Sequence, residues 1–338
     1  MKAVYVEKEG RTLKDYPVPS PGPLEILVKN VAVSSNPKDW KIPVYMAPYA
    51  AVEGNDIAGY VEEVGEGVTK FKKGDKVAAF TKMRTDDKYG AYAEYSVSPV
   101  NTAFHLGPKS SFEDAAALPL AYITAVIALF KRLGLPTPDE PAKDDHPALL
   151  VWGGATTVGV YAIQLAKKAG LHVVAIAGSS SSVATSYGAD EVIDYRSKST
   201  SDLVSAITSA ANGRLRFAFD CVSENGTLET IAEAFDQLGG GKATFVLPYT
   251  EEQLEKLPKS VEATRTLCAT AYGEESDFAE VWFDRVGEWL EKGEFRPQKV
   301  TVVFGGLEGV KEGLRRLQQG EVKGEKLVYR IAETPGLA

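Results

Sequence analysis

The pattern of apolar and polar positions changes character along the chain. Up to about residue 100, short runs with apolar residues at alternate positions are separated by turn segments such as Gly65-Glu66-Gly67. Alternation over four to eight residues, bounded by glycines, is typical of half-buried strands. Several such strands close together favour a small barrel or sandwich. The pattern predicts strands at residues 26–33, 59–64, 68–71, 76–80 and 90–97.

The middle of the chain alternates strand patterns with helix patterns. A capping signal at Ser111 precedes a short helix, and a second helix is predicted at residues 121–133, before an exposed loop at residues 136–147. Strand–helix alternation then indicates a parallel, doubly wound sheet. The predicted strands of that sheet are residues 149–152, 172–177, 191–195, 217–222, 243–247 and 266–270, with a helix at residues 158–168 after the first of them.

A further helix and strand pattern closes the chain. After Gly273 we expect a helix at residues 277–291, a strand at 299–304, a helix at 307–318 and a strand at 326–331. A terminal strand that follows a helix can return to the first domain, so the early and late segments are expected to fold together.

Composition limits the class of protein. The chain has 338 residues, of which 44% are hydrophobic and 25% charged, as in an ordinary globular protein with room for two domains. It has no apolar run near the roughly 20 residues of a membrane span and no signal-peptide pattern at its start, so we expect a cytoplasmic protein. The net charge of −8 argues against nucleic acid as a partner. Two cysteines cannot form a disulfide framework.

A glycine-rich segment, Trp152-Gly153-Gly154-Ala155-Thr156-Thr157-Val158-Gly159, lies between a predicted strand and a predicted helix. This is the context in which a helix N-terminus binds a dinucleotide pyrophosphate. We expect Gly154 to make the tight turn and Gly159 to allow close packing. Threonine replaces the middle glycine of the usual pattern, so hydroxyl groups could donate to phosphate. The predicted pyrophosphate contacts are Ala155, Thr156, Thr157 and Val158.

The end of the following strand bears on cofactor choice. Sites for NAD place Asp or Glu at this point to bind the ribose 2′-hydroxyl. Here the strand ends in Ser179, Ser180, Ser181 and Ser182, which offer no carboxylate to repel a 2′-phosphate. Tyr195 and Arg196, at the end of the next predicted strand, could complete the pocket. NADP(H) is therefore favoured, although a solvated serine turn is the alternative interpretation.

Several short segments occur in a familiar order. Together with the glycine-rich segment, they resemble the medium-chain dehydrogenase/reductase superfamily along essentially the whole chain, and within it the zinc-independent quinone and enoyl reductase branch. The resemblance extends to the ToxD-like fungal trans-acting enoyl reductases of polyketide pathways, related to the lovastatin enoyl reductase. The segments are Asn36-Pro37-Lys38-Asp39-Trp40-Lys41, Gly54-Asn55-Asp56-Ile57-Ala58-Gly59, Gly74-Asp75-Lys76-Val77, Gly188-Ala189-Asp190 and Gly324-Glu325-Lys326-Leu327-Val328.

The resemblance implies an α/β fold with two domains. A GroES-like β-barrel catalytic domain would comprise residues 1–120 and 273–338, and a Rossmann NADP-binding domain residues 121–272, with the active site in the cleft between them. Zinc-dependent members have an early Cys and a Gly-His-Glu segment. This chain has Gly54-Asn55-Asp56 there and no Cys at residues 36–41. We expect no metal, and Asp56 as a structural hydrogen-bonding carboxylate.

The resemblance also implies a mechanism and a set of residues. Hydride would pass from NADPH to the β-carbon of an enone or enoyl thioester, with hydrogen-bond donors stabilising the enolate oxygen. Lys41 is the first candidate for polarising the carbonyl, Thr124 for a place near the carboxamide and Tyr49 for a proton donor. Beyond the glycine-rich segment and the serine turn, cofactor contacts are implied for Lys38, Asp39, Trp40, Lys41, Leu247, Val322 and Lys323.

Two other functions remain open from the sequence. One is an NADPH:quinone oxidoreductase with a flatter acceptor, and the other a non-catalytic NADPH-binding protein. A polyketide synthase is a possible macromolecular partner in the family. Family members occur as monomers and as homodimers, and the sequence does not decide between these states.

Overall fold

The computed structural model describes residues 1–7, 10–45, 49–143 and 147–337. These residues form two compact units, one made of Met1–Ile123 with Ala269–Ala338 and the other of Thr124–Cys268. The unit boundaries lie three or four residues from the predicted positions at 120/121 and 272/273. The assignment of the units as catalytic and NADP-binding domains stays a prediction.

The regular elements of the described residues follow in chain order. The strands are β1 Lys2–Glu7, β2 Gly10–Asp15, β3 Glu25–Ser34, β4 Ala51–Val52, β5 Asp56–Val64, β6 Lys76–Phe80, β7 Tyr95–Pro99, β8 Ala103–His105, β9 Ala148–Trp152, β10 His172–Ala177, β11 Glu191–Asp194, β12 Leu215–Asp220, β13 Gly241–Phe245, β14 Val261–Arg265, β15 Val300–Val302 and β16 Lys326–Arg330. The α-helices are α1 Lys38–Tyr45, α2 Phe112–Ala116, α3 Pro119–Val126, α4 Thr157–Lys168, α5 Ser181–Ser186, α6 Thr200–Ser209, α7 Thr227–Gln237, α8 Glu251–Glu255, α9 Ser276–Lys292 and α10 Val310–Gln318.

The first unit is built on two sheets that are antiparallel except where β15 pairs parallel with β16. A seven-stranded sheet has the order β15-β16-β3-β5-β6-β8, with β7 also paired to β3, and a smaller sheet has the order β2-β1-β4. Strand β16 pairs antiparallel with β3, with Val328 opposite Ser34. The terminal strand therefore returns to the first domain, as the sequence predicts. Apolar residues from β3, β5, β6, α10 and β16 form its core.

The second unit is a six-stranded sheet in the order β11-β10-β9-β12-β13-β14. Every neighbouring pair is parallel. Strand β9 is buried at all five positions because both faces of the sheet are covered. In this doubly wound order the connections reverse between β9 and β12, where ligands bind at the carboxyl ends of the strands. The predicted parallel sheet is confirmed.

Two predicted strands are wrong. Residues 68–71 are a turn segment in which the Val68 N–H donates to Gly65 O, while Phe71 is buried in the core. Residues 266–270 follow the true edge strand β14, and Cys268–Tyr272 is a 3-10 helix. The pattern misled because β14 is a half-exposed edge strand, whose charged positions conceal its alternation.

Several other helices and strands begin or end at residues that differ from the predicted ones. Helix α3 begins at Pro119, a residue that is favoured at the first helical position, and it continues as a π-helix at Ile127–Arg132. Strand β7 occupies only the end of the predicted run 90–97. The predicted loop 136–147 has no helix or strand at residues 136–143, and residues 144–146 lie outside the described residues. Among described residues, no helix has the length and apolarity to span a bilayer.

Candidate functional site

The turn after β9 lies at the switch point of the parallel sheet. Gly153 has a φ of +82°, and both Gly153 N–H and Gly154 N–H donate to Ile176 O, at 2.9 and 3.0 Å. The tight turn is therefore made at Gly153, not at Gly154 as predicted. The reason is that the left-handed conformation falls directly after the strand, where only glycine adopts it without strain.

The other two glycines of the turn allow close packing. A Cβ on Gly154 would lie 2.7 Å from the Ala175 side chain, and one on Gly159 would lie 2.2 Å from the Gly153 carbonyl oxygen. A side chain on Gly154 would press against β10, and one on Gly159 would push α4 away from the turn. The sequence predicted that Gly159 lets the helix pack closely on the strand. In the structure, the atom nearest to its Cβ position is the carbonyl oxygen of Gly153, which belongs to the turn.

Helix α4 begins with a threonine cap. Thr156 is the N-cap residue, and its hydroxyl accepts a hydrogen bond of 3.0 Å from Gly159 N–H. This hydroxyl retains its own hydrogen, which it can donate to an anion. Thr156 is exposed, and Ala155, Thr157 and Val158 are half-buried. A twelve-residue helix with its N-terminus at this turn is a suitable pyrophosphate site.

The turn after β12 forms the other side of the switch point. The Val222 side chain approaches to 2.8 Å of the Cβ position on Gly153. Ser223 has a φ of +57°, and its hydroxyl accepts from Val246 N–H at 2.9 Å. The fully buried Asp220 holds this turn by accepting from Ser223 N–H and the Thr227 hydroxyl, at 2.8 and 2.5 Å. Burial raises the pKa of Asp220.

The serine turn and Tyr195 lie together. Helix α5 starts inside the serine run, with Ser179 and Ser182 exposed. The Tyr195 hydroxyl is 2.9 Å from the Cβ position on Gly178, so glycine provides the space for the ring. Arg196 instead binds Asp194 through Nε and Nη2, at 3.0 and 2.6 Å, and this pair holds the pKa of Asp194 at about 2.

In the first unit, an ammonium group lies where a metal would be sought. The fully buried Asp56 accepts from the Lys326 ammonium at 3.2 Å, from Asn36 Nδ2 at 2.7 Å and from Leu120 N–H at 2.7 Å. Lys326 also donates to Asn36 Oδ1 at 2.6 Å. The Ser34 hydroxyl is a further donor to Asp56, at 3.2 Å.

These residues do not fit a zinc ion. Zinc needs three protein ligands and prefers imidazole or thiolate. Here a buried cation already neutralises the carboxylate, and Asn55 directs its Nδ2 to Thr81 O and Lys82 O, at 3.2 and 3.0 Å. No group of three His, Cys, Asp or Glu side chains suited to a metal occurs within the residues that the structure describes. Asp56 has the structural role expected of it.

A second charged cluster lies at the start of α1. The Lys38 ammonium pairs with Asp39 Oδ1 at 2.7 Å and donates to Glu53, and the Tyr49 hydroxyl donates to the other oxygen of Glu53. Asp39 also accepts from Asn36 N–H and the Tyr92 hydroxyl, at 2.8 and 2.5 Å. We call Lys38, Asp39, Glu53 and Tyr49 the α1 cluster.

Burial governs the titration of this cluster. Glu53 is 2% exposed, and its burial raises its pKa, aided by repulsion from Asp39. The two carboxylates, in turn, raise the pKa of Lys38 against the effect of its own burial. Two anions thus share one ammonium, which favours retention of a proton on Glu53. The pKa of Tyr92 is also raised by burial and by Asp39.

A cavity of about 250 Å³ adjoins the α1 cluster within the first unit. Tyr49, Glu53, Asn55, Lys82 and Arg84 are among the residues that line it. The Arg84 guanidinium is 5.6 Å from the centre of the Tyr49 ring. Asn55 Oδ1 is buried without a hydrogen-bond partner in the described part of the chain. The hydrogen-bonded pair Tyr49 and Glu53 therefore borders a cavity with a largely polar lining.

The other site residues predicted from the sequence lie on α1, on α3 and in segments next to β13 and β16. Lys41 and Trp40 are half-buried on α1, with the Lys41 ammonium 5.6 Å from the Trp40 ring. Asp39 is fully buried, so its surroundings favour a role in holding Lys38 over a direct cofactor contact. Thr124 is 6% exposed on α3. Leu247 lies two residues after β13, and Val322 and the exposed Lys323 precede β16.

Glu53 was missed from the sequence. Its signal is a lone carboxylate directly after the apolar run Ala50-Ala51-Val52 and directly before a glycine. A charged residue in such a run is costly to bury unless it has a partner. That partner, Lys38, is fifteen positions away, and no periodic pattern connects the two.

Two family models match this chain. Residues 22–108 match the family model of the alcohol dehydrogenase GroES-like domain, and residues 157–285 match that of the zinc-binding dehydrogenases. Trans-enoyl reductase fsr4 of Gibberella fujikuroi is 38% identical over 319 residues, which cover 91% of this chain and 92% of the relative. The chain belongs to the medium-chain dehydrogenase/reductase superfamily. Within it, the relatives named trans-enoyl reductase are fungal and 32–38% identical.

Solved structures agree on the architecture. A quinone oxidoreductase of Pseudomonas syringae pv. Tomato DC3000 has 25% identity and a TM-score of 0.79 over 97% of this chain and 99% of that one. A mycobacterial protein solved with NADPH, at 22% identity, has the same fold with a TM-score of 0.77 over 98% of this chain and 100% of that one. The predicted family and fold class are confirmed. The chain is an oxidoreductase of this superfamily.

Proposed function

We propose that this protein is an NADPH-dependent enoyl reductase that works without zinc and acts in trans on intermediates of a polyketide synthase. The observation that carries the proposal is the Lys326–Asp56 ion pair, which takes the place of metal ligands in a chain closely similar to trans-enoyl reductases. A dinucleotide turn at the switch point of the parallel sheet supplies the cofactor site.

NADPH is proposed over NADH because of the serine turn. Ser179 to Ser182 supply hydroxyls and the short helix α5 supplies backbone N–H groups, with no carboxylate in the run. Tyr195 adds a phenol beside Gly178. Arg196 contributes less than its sequence position suggests, because Asp194 already binds it. The 2′-phosphate would therefore rest mainly on hydroxyl and backbone donors.

The proposed reaction does not require a metal ion as a Lewis acid. When bound, the dihydronicotinamide supplies a hydride for the β-carbon of the acceptor. Negative charge then spreads onto the carbonyl oxygen of a conjugated thioester, where a hydrogen-bond donor stabilises it. Lys41 is our candidate for that donor, Thr124 for a contact with the cofactor's carboxamide, and Tyr49 for the proton donor to the α-carbon.

The partner is proposed from the relatives. Several are named trans-enoyl reductase, which describes an enzyme separate from the synthase that it serves. We therefore propose a thioester on a carrier domain as the natural substrate.

Quinone reduction is a second candidate, favoured by the similarity to the Pseudomonas syringae quinone oxidoreductase. Both reactions consume NADPH, so the acceptor must be varied. We expect the purified protein, in a chelating buffer, to oxidise NADPH with a crotonyl thioester of N-acetylcysteamine at a higher kcat/KM than with 1,4-benzoquinone. The opposite order would favour a quinone reductase. Tight NADPH binding without turnover of either acceptor would indicate a non-catalytic protein.

A further inference from the structure

We propose that Glu53, held by Lys38, stores the proton that Tyr49 delivers to the α-carbon of the acceptor. The inference rests on the proposed enoyl reduction and adds a residue that acts through another. It assigns Glu53 and Lys38 as positioning residues and Tyr49 as the group that meets the substrate.

The first argument is connectivity. The Tyr49 hydroxyl and the Lys38 ammonium bind opposite oxygens of the Glu53 carboxyl group. The same two residues, Tyr49 and Glu53, line the cavity of about 250 Å³. When Glu53 is protonated on the oxygen that contacts Tyr49, the carboxyl group donates to the Tyr49 oxygen instead of accepting from it, and the hydroxyl hydrogen of Tyr49 is then available to an acceptor in the cavity.

The second argument is charge. Lys38 also pairs with Asp39, so one ammonium faces two buried carboxyl groups. Asp39 has two further donors, Asn36 N–H and the Tyr92 hydroxyl, and Glu53 also has two, the Tyr49 hydroxyl and Gly54 N–H. Glu53 differs in that it borders the cavity, and burial and repulsion from Asp39 raise its pKa. An extra proton is thus best accommodated on Glu53. After the proton leaves, the Lys38 ammonium stabilises the carboxylate that remains.

The step balances as a double proton transfer. The Tyr49 O–H bond breaks as a C–H bond forms at the α-carbon, and the Glu53 O–H bond breaks as the Tyr49 O–H bond forms again. The enolate loses its negative charge, Glu53 gains it, and solvent returns one proton to Glu53 before the next turnover. The Lys38–Glu53 ion pair does not itself form or break a covalent bond.

The charged groups around Glu53 come from several elements. Lys38 and Asp39 belong to α1, Tyr49 precedes β4, and the loop after β6 contributes other residues that line the cavity. The groups that face Glu53 or the cavity are Lys38, Asp39, Tyr49, Lys82, Arg84, Asp86 and Asp87. Lys82 is paired with Glu25, and Asp87 accepts from Val52 N–H and the Tyr16 hydroxyl. Glu53 is the buried carboxyl group in direct contact with Tyr49.

The test uses Glu53→Gln and Tyr49→Phe, with Glu63→Gln and Tyr60→Phe as matched controls on the exposed side of β5. The probe is the N-acetylcysteamine thioester of 2-methylcrotonic acid, whose reduction creates a stereocentre at the α-carbon. Each protein reduces it with NADPH, and we measure kcat, its pH profile and the configuration of the 2-methylbutyryl product. Infrared difference spectra of the unliganded proteins add a readout that does not depend on turnover.

We expect both variants to lose roughly 100-fold in kcat, the lower end of the usual contribution of a positioned acid. Both should give mixed configurations, because solvent then protonates the enolate from either face. Wild-type kcat should fall at high pH as Glu53 ionises, and Glu53→Gln should lack that limb. The protonated-carboxyl band should disappear in Glu53→Gln and persist in Glu63→Gln.

Different failures have different meanings. If the wild type turns over and Tyr49→Phe still gives one configuration, the relay is overturned while the proposed function stands. The same holds if Glu53→Gln keeps both the high-pH limb and the carboxyl band. If the wild type binds NADPH but reduces no thioester, the proposed function fails and the relay with it. A folding defect in Glu53→Gln leaves Tyr49→Phe as the deciding variant.

Discussion

The turn after β9 and the α1 cluster are built in opposite ways. The turn is made of backbone and small residues that follow one another in sequence, and three glycines exclude side chains from it. The α1 cluster is made of polar and ionisable side chains from α1 and from the segment before β5, and ion pairs and hydrogen bonds hold them together. A site of the first kind is visible in a single sequence, whereas a site of the second kind appears only after folding.

The two regions should therefore tolerate different kinds of substitution. The turn should be sensitive to volume and indifferent to distant charge, because its hydrogen bonds come from the main chain. The buried ionic groups of the first unit should be sensitive to charge, because removing one partner leaves another unpaired in a low-dielectric interior. Substitutions that change either charge or volume alone test this contrast.

The largest effect is expected from Lys326→Met, a change of charge at nearly constant volume. It leaves Asp56 buried without its counter-ion, and loss of one partner of a buried pair costs about 3–5 kcal/mol of unfolding free energy. Chemical denaturation measures it, with Lys311→Met on the exposed face of α10 as the control. Adding Asp56→Asn should restore part of the loss. Equal stability of Lys326→Met and the wild type would show that the pair is not coupled.

A smaller effect is expected from Gly159→Ala, a change of volume without charge. The added methyl group would lie 2.2 Å from the Gly153 carbonyl oxygen, so the turn must shift. Overpacking of this kind costs about 1–3 kcal/mol, which would weaken NADPH binding by roughly 5- to 150-fold if it falls on the bound state. Calorimetric titration measures it. Gly273→Ala, where the nearest atom is 3.8 Å away, should bind normally; unchanged affinity in Gly159→Ala would contradict the assignment of the turn.

Cofactor preference should respond to a single charge in the serine turn. Ser180→Asp would place a carboxylate where we propose the 2′-phosphate, and we expect the ratio of NADPH to NADH affinity to fall about 10-fold, equivalent to about 1.4 kcal/mol. Paired titrations with the two cofactors provide the measurement. Ser205→Asp, on the exposed face of α6, is the control. A ratio that stays constant in Ser180→Asp would place the phosphate elsewhere.

The smallest effect is a difference in the pH dependence of stability. Because burial raises the pKa of Glu53, the folded state keeps a proton that the unfolded state has lost. The stability that this proton contributes is present below the ordinary glutamate pKa and is lost as the pH rises through the raised value. The pKa of Lys38 is raised as well, so its contribution changes only in strongly alkaline solution.

The corresponding measurement compares unfolding free energies of the wild type and Glu53→Gln from acid to neutral pH. The wild type should lose stability relative to Glu53→Gln as the pH rises, while Glu63→Gln should follow the wild type. Parallel curves for all three proteins would mean that Glu53 titrates as it does in the unfolded chain.

Most of the fold was predictable, because it depends on periodic patterns. The parallel strands β9 and β10 are nearly continuous apolar runs, β12 keeps the apolar centre Phe217-Ala218-Phe219, and the return of β16 follows from a strand after a terminal helix. Helix α1 was missed because it is short, contains Pro43 and shows no apolar stripe. Strand β14 was displaced because an edge strand need not be apolar.

The site was predictable only in its local parts. The glycine-rich turn was located, but its tight turn is made at Gly153 instead of Gly154, because the position of a positive φ depends on where the strand ends. Lys38 was selected by resemblance, but its contact with Glu53 depends on the return of the chain through β4. Arg196 was a reasonable phosphate ligand by position until Asp194, two residues before it, proved to bind it. Pairings of this kind have no signature in one sequence.

The central claim is hydride transfer to an enoyl thioester by a protein without zinc. The most direct test uses NADPH deuterated at C4 and a crotonyl thioester, with protein treated with a chelator and shown to be free of metal. We expect one deuterium at the β-carbon of the butyryl product, at a rate that added zinc does not raise. Product without deuterium at that carbon, or product that forms only after zinc is added, would contradict the account.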